Sequence, residues 1–259
     1  MATGFLMYHE LEQPGVPVVD ADPGYTTYVI ERAAFAAQMA WISSSGLHGV
    51  SVGDWCALGR DHRDRVVVTF DDGCETDWTI AAPILLERGF GATFYVVSGW
   101  IGRRPGFMSP AQLRQLANAG FEIGSHSVTH AFLTDVDDAR LRSELKDSKL
   151  QLEDVLGRAV THLSCPGGRW NPRVEATARE IGYETVATSR VGANDSSTNP
   201  HALARCAMQR HTPSRAFEAF CRAEGLGAMQ LRERALSAAK AVLGNHVYDT
   251  LRGVALRRA

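Results

Sequence analysis

The sequence predicts an α/β fold in which parallel strands alternate with helices packed outside them. Three observations predict it. Short runs of β-branched and aromatic residues, such as Val66-Val67-Val68-Thr69-Phe70, read as strands buried on both faces. Helix start and stop residues stand between those runs, and strand–helix alternation implies parallel strands. His9, Asp71, Asp72, His126 and Pro166 each fall at or just past the end of a strand run, the end at which folds of this kind carry their sites.

Each element has its own signal. Phe5-Leu6-Met7-Tyr8 is an apolar strand running into His9-Glu10. Residues 13–28 are rich in Pro, Gly and Asp and predict a loop over the site. Glu31 to Ser44 reads as a helix because Phe35, Met39 and Ile42 recur near helical spacing. Asp77 to Glu87 is a second helix, and Ala92 to Val97 is a strand. Ser109-Pro110 has the chemistry of a helix start, and Gly120 closes that helix. Phe121-Glu122-Ile123-Gly124 is the end of another short strand. Asp137 to Leu156 carries Leu141, Leu145, Leu152 and Leu156 on one face, with Gly157 as its stop. Asn171-Pro172 opens a further helix ending at Gly182, and the strand Glu184 to Thr188 follows.

The chemistry begins at Asp71-Asp72. Two like charges at the mouth of a sheet repel and lose hydration, so they gain the fold nothing. A divalent cation resolves the conflict by taking one carboxylate and leaving the other as a base. Nitrogen ligands follow in Gly124-Ser125-His126-Ser127-Val128-Thr129-His130. Four-residue spacing places both imidazoles on one face if the chain makes a helical turn there. Two histidines and one carboxylate leave room for water, the open arrangement of a catalytic metal.

At these residues the chain resembles the polysaccharide deacetylases, the NodB-homology or carbohydrate esterase 4 family. Thr69-Phe70-Asp71-Asp72-Gly73 matches the family's first motif, and His126-Ser127-Val128-Thr129-His130 matches its second. The resemblance runs from about Phe5 to about Thr212. It implies a distorted (β/α) barrel with fewer than eight strands, seven being expected, and metal-dependent hydrolysis of an N-acyl group. Carried over by position, Asp71 is the general base, and Asp72, His126 and His130 hold the metal. The nitrogen ligands favour Zn²⁺, with Co²⁺ or Ni²⁺ as alternatives.

The third motif departs from the common pattern. Ser164 stands where many members carry an arginine that steers the base, within Leu163-Ser164-Cys165-Pro166-Gly167-Gly168-Arg169-Trp170. The orienting arginine then comes from elsewhere, with Arg205 and Arg169 as candidates. Pro166, Gly167 and Trp170 join them as candidate substrate-binding residues. A general acid is expected as well. His9 is one candidate, because Met7-Tyr8-His9 resembles the first-strand segment of the poly-N-acetylglucosamine deacetylases, whose motif order is permuted. His211 is the other.

Length and composition set bounds. The 259 residues suffice for one barrel-sized domain, expected over 1–225. A net charge of -2 excludes general attraction to nucleic acid. Five cysteines without regular spacing do not form a disulfide framework. Reduced cysteines and the lack of a visible signal peptide predict a cytoplasmic protein, acting on a glycan precursor or other N-acetylated sugar. A helical extension is expected over 226–259, where Arg232, Arg234, Lys240, Arg252, Arg257 and Arg258 outnumber Glu233 and Asp249. It packs against the barrel or rests on a membrane face beside the substrate. Two other functions share the motifs: hydrolysis of a non-sugar amide or imide on the same fold, and a non-catalytic carbohydrate-binding module.

Overall fold

In the computed structural model, which describes residues 2–60, 64–227 and 229–231, the apolar runs become seven mutually parallel strands. They are β1 (Thr3–Tyr8), β2 (His48–Val50), β3 (Arg65–Phe70), β4 (Thr93–Val96), β5 (Glu122–Ser125), β6 (His162–Ser164) and β7 (Thr185–Ala187). β1 pairs with β3, and the sheet continues through β4, β5 and β6 to β7. β2 lies along the start of β3, and Ala193–Asn194 adds an antiparallel strand beside β1. The main path is thus seven strands long. It curls until Leu203 bridges Ala187 of β7 and Cys206 pairs with Leu6 of β1. The stretch 203–207 therefore spans the gap between the last strand and the first. This is the distorted barrel that the sequence predicts.

Helices α1 (Arg32–Ser44), α2 (Val52–Ala57), α3 (Ala82–Leu86), α4 (Pro110–Asn118), α5 (Asp138–Leu156), α6 (Pro172–Ile181) and α7 (Ser214–Arg222) connect and cover the strands. Their ends follow local chemistry. Ser109 and Gln112 form a reciprocal capping box at α4, and Asp137 and Asn171 accept backbone N–H groups at the starts of α5 and α6. Gly157 and Gly182 close those two helices in the left-handed conformation. Two expectations are corrected. The single helix expected from Asp77 is a π turn over Asp77–Ala81 followed by α3; Pro83 has no N–H to return into that turn. The loop over 13–28 contains a one-turn helix, Pro23–Thr26, capped by Asp22.

Period-two alternation sorts the strand side chains between the two faces of the sheet. Leu6, Tyr8, Val66, Val68, Phe70, Phe94 and Val96 point outward into the layer shared with the helices. Phe5, Val67, Tyr95 and Ala187 point inward, where Trp55 of α2 fills the barrel. Below them lies a polar layer. Glu122 accepts from the Gly53 N–H at 3.0 and 3.1 Å and from the Thr93 hydroxyl, and stands 3.2 Å from His162 Nε2. It thereby seats the N-terminus of α2 in the barrel floor. On the outside, α7 lies hard against β1. A Cβ on Gly4 would sit 1.8 Å from the Phe220 carbonyl oxygen, so only glycine fits there.

No helix of the described residues is long and apolar enough to cross a membrane. The extension expected over 226–259 falls outside the described residues, apart from residues 226, 227 and 229–231.

Burial alone would raise the Glu122 pKa, but the hydrogen bond and charge of His162, then Thr93 and the Gly53 N–H, lower it below the usual value. A depressed carboxylate stabilises the fold above its unfolded pKa and loses that contribution as pH falls through its folded value. Glu122→Gln should therefore cost about 1–3 kcal/mol at pH 7, with the gap to wild type closing as pH drops below about 4.3. Urea unfolding across that range measures it, and a gap independent of pH would contradict the assignment.

Candidate active site

The top of the barrel continues the same alternation. Val67 and Thr69 face inward, so Asp71, one step past the end of β3, faces inward too. Its backbone N–H is held by the Tyr8 carbonyl at 2.9 Å. Above Tyr95 the carboxylate meets Arg205, which is completely buried. Arg205 Nη1 and Nη2 donate to the two Asp71 oxygens at 2.7 Å each. Nη2 also donates to Ser164 Oγ at 2.7 Å, Nη1 to Thr69 Oγ1 at 3.2 Å, and Nε to the Thr188 carbonyl at 2.9 Å. A guanidinium has five N–H groups, and all five are spent on this arrangement. Arg205, rather than Arg169, is the arginine on Asp71.

Ser164 is the residue that sequence reasoning passed over. Its hydroxyl donates to Asp71 Oδ2 at 3.1 Å while accepting from Arg205. Its backbone carbonyl accepts from His126 Nδ1 at 2.8 Å. The one available signal was its place at the end of β6, at the position where a larger cation was sought.

The histidines are held differently from the expectation. Residues 126–130 form no helical turn but an irregular loop, in which Ser127 and His130 take left-handed φ values of 63° and 61°. Glu144 of α5 imposes this shape by accepting from the Val128 and Thr129 backbone N–H groups at 3.0 and 2.9 Å. Asp72 is left-handed as well, at φ 82°. Non-glycine residues in this region carry backbone strain, and here three of them surround one point.

That point has the character of a cation site. Asp72 Oδ1 lies 3.5 Å from His126 Nε2 and 3.4 Å from His130 Nε2. Because His126 Nδ1 faces a carbonyl, it carries the proton and leaves Nε2 as a bare lone pair. Asp72 Oδ1 is buried without a hydrogen-bond partner. Lone pairs aimed at one another repel unless a cation lies between them. Donors about 2.1 Å from a tetrahedral metal stand about 3.4 Å apart, the separation seen here. Among the described residues this trio is the only converging group of three or more such donors. The residues thus fit a divalent metal. Cys74 and Cys165 are buried outside it, with Cys74 Sγ 3.5 Å from the Tyr25 hydroxyl.

The adjacent carboxyls differ in acidity. Burial alone would raise Asp71, but the Arg205 charge and then His126 hold it well below the usual range. Burial raises Asp72 to about 6, reinforced by the Asp71 charge. Burial also lowers His126 to about 3, so its imidazole is neutral and ready to ligate. Asp77, fully buried with neither oxygen partnered, is raised by desolvation and then by Asp72 and Asp71, which favours its uncharged form.

The remaining candidates separate. His9 is half-buried at the end of β1, its ring 5.1 Å from that of Tyr28, and its charge bears on both Asp71 and Asp72. His211 is exposed in the turn before α7. Pro166, Gly167 and Gly168 form a single turn after β6. Arg169 stacks 3.7 Å over Phe132 and pairs with Asp135 at 2.8 Å, at the rim. Trp170 lies beneath the guanidinium of Arg190 at 4.9 Å.

Comparison with known proteins agrees with this geometry. The family profile named Polysaccharide deacetylase matches residues 59–186, which hold both aspartates, both histidines and the turn after β6. The chain belongs to the polysaccharide deacetylase family. It is 27% identical over 195 residues to YxkH of Bacillus subtilis, covering 74% of this chain and 70% of that protein. It is 30% identical over 122 residues to a peptidoglycan-N-acetylglucosamine deacetylase of Bacillus cereus, covering 47% of this chain and 54% of the relative. Among solved structures, the Streptococcus pyogenes deacetylase PplD in complex with acetate has the same fold. It superposes with a TM-score of 0.75 at 20% identity, covering 85% of this chain and 98% of that one. The family match ends before residue 205, so Arg205 lies outside it, as do His9 and His211.

Removing the guanidinium should be costly, because it strands a buried charge. Arg205→Gln should destabilise the protein by about 3–5 kcal/mol, read by denaturant unfolding. The double change Arg205→Met with Asp71→Leu should recover much of that loss; if it does not, the pair is not what stabilises the top of the barrel.

Proposed function

We propose that this protein is a metal-dependent N-deacetylase that removes the acetyl group from an N-acetylated amino sugar. The observation that carries the proposal is the division of labour between adjacent carboxyls. Asp72 converges with two neutral imidazoles on a cation site, while Asp71 is withheld from it by Arg205 and Ser164. Family membership supplies the reaction class, and the relatives are named as deacetylases of peptidoglycan and of chitooligosaccharide.

Asp72, His126 and His130 would hold the cation, for which the mixed nitrogen and oxygen donors favour Zn²⁺ over Co²⁺ or Ni²⁺. When bound, it supplies positive charge that polarises the acyl carbonyl and acidifies water. Asp71 stays ionised at neutral pH and accepts the proton of the attacking water as the new C–O bond forms. Arg205 has no N–H left for substrate, so its role is to fix the carboxylate plane. His9 delivers a proton to the departing nitrogen, since an amide nitrogen does not leave as an anion. Cytoplasmic action on a glycan precursor remains part of this proposal, resting on the reduced cysteines.

The test combines metal content with acetate release from N-acetylglucosamine oligomers. Asp71→Asn should retain the metal and lose about 10²–10⁴-fold in kcat, whereas His126→Ala should lose the metal itself. Metal-loaded wild type that releases no acetate from any N-acetylated sugar would overturn the reading.

A further inference from the structure

Arg104 is a guanidinium beside the site without a counter-charge. Arg205 is neutralised by Asp71 and Arg169 by Asp135. Arg104, in the loop after β4, is exposed, and among the described residues its side chain has neither a hydrogen bond nor an ion pair. It is nevertheless held in place. The guanidinium lies 4.5 Å from the Trp100 ring and 4.9 Å from that of Phe107, and those two rings are 4.6 Å apart. Cation–π stacking of this kind fixes an arginine while leaving its N–H edge available.

The loop itself is tied to both halves of the site. Val97 N–H donates to the Asp72 carbonyl at 3.3 Å, and Ser98 and Gly99 N–H donate to Ser127 and Val128 at 3.1 and 3.0 Å. Phe107 bridges to Cys74, and Trp100 lies 5.4 Å from the His130 ring. The Arg104 charge is accordingly felt at Asp72 and His130. A fixed, unpaired cation beside a site that collects a cation is electrostatically unfavourable on its own. An anion arriving with the substrate removes that cost.

We propose that the N-acyl amino sugar taken by this site carries an anionic group, phosphate or carboxylate, near the acylated amine, and that Arg104 receives it. This deepens the deacetylase reading and rests on it. A planar guanidinium offers two parallel N–H groups to either anion, so the shared chemistry is an oxyanion. A glycosyl phosphate and a neighbouring uronic acid are its two sources.

Acetate release is compared for an N-acetylglucosamine oligomer, N-acetylglucosamine 1-phosphate and a disaccharide of N-acetylglucosamine with glucuronic acid. Wild type should favour one anionic substrate over the neutral one in kcat/KM by at least about tenfold. Arg104→Gln should erase most of that preference through KM, and Arg104→Lys should restore part of it. Arg103→Gln, which removes the same charge one residue away, should keep the preference. The anionic sugar whose preference is lost identifies the source. No preference in wild type, or one that survives Arg104→Gln, overturns the proposal. If no sugar is deacetylated, the deacetylase reading fails separately, and calorimetric binding of the same three sugars decides the role of Arg104. Tighter binding of an anionic sugar that Arg104→Gln abolishes upholds it, and equal binding overturns it.

Discussion

A buried arginine is tolerable only when every one of its donors is matched, and that constraint organises the top of this barrel. Arg205 arrives on the stretch that closes β7 onto β1 and reaches Thr188, Thr69, Ser164 and Asp71 at once. These partners come from three strands and from the residues just past their ends. Barrel closure and the orientation of Asp71 are therefore one event: the sheet cannot open without stranding a charge. The same pair keeps Asp71 anionic and apart from the donors of Asp72, His126 and His130, as its proposed role of base beside a cation requires.

The neighbouring carboxyl has the opposite environment. Asp72 lacks hydrogen-bond partners at Oδ1 and adopts a strained backbone, as do Ser127 and His130. Strain in three residues around one point, together with lone pairs turned toward one another, is a cost that the fold alone does not recover. Glu144, anchored on a long helix, holds the histidine loop in that shape. A cation held by Asp72, His126 and His130 would offset the repulsion between their lone pairs.

Much of this was legible in local sequence. Helix ends at Ser109, Asp137, Gly157, Asn171 and Gly182 stand where their capping chemistry places them, since a cap depends on neighbours within one turn. Strand alternation likewise directs Asp71 inward. β2 and α2 escaped notice because His48-Gly49-Val50-Ser51-Val52-Gly53 is short and broken by glycine, although its capping box at Ser51 and Asp54 is a local signal. The His126–His130 segment is an irregular loop rather than a helical turn because its shape comes from Glu144, 15 and 16 positions from the N–H groups it binds and on another element.

Most of the strand and helix order, the donor types at strand ends and the family are legible in the sequence, because periodicity, caps and motifs are properties of short windows. Tertiary structure alone decided which arginine meets Asp71, a partner 134 positions away. It also made Ser164 part of the site, gave adjacent aspartates opposite acidities, and left Arg104 without a counter-charge. Those are matters of burial and charge pairing across a closed sheet. No local window contains them, because the energy of a charge is set by everything that surrounds it in space.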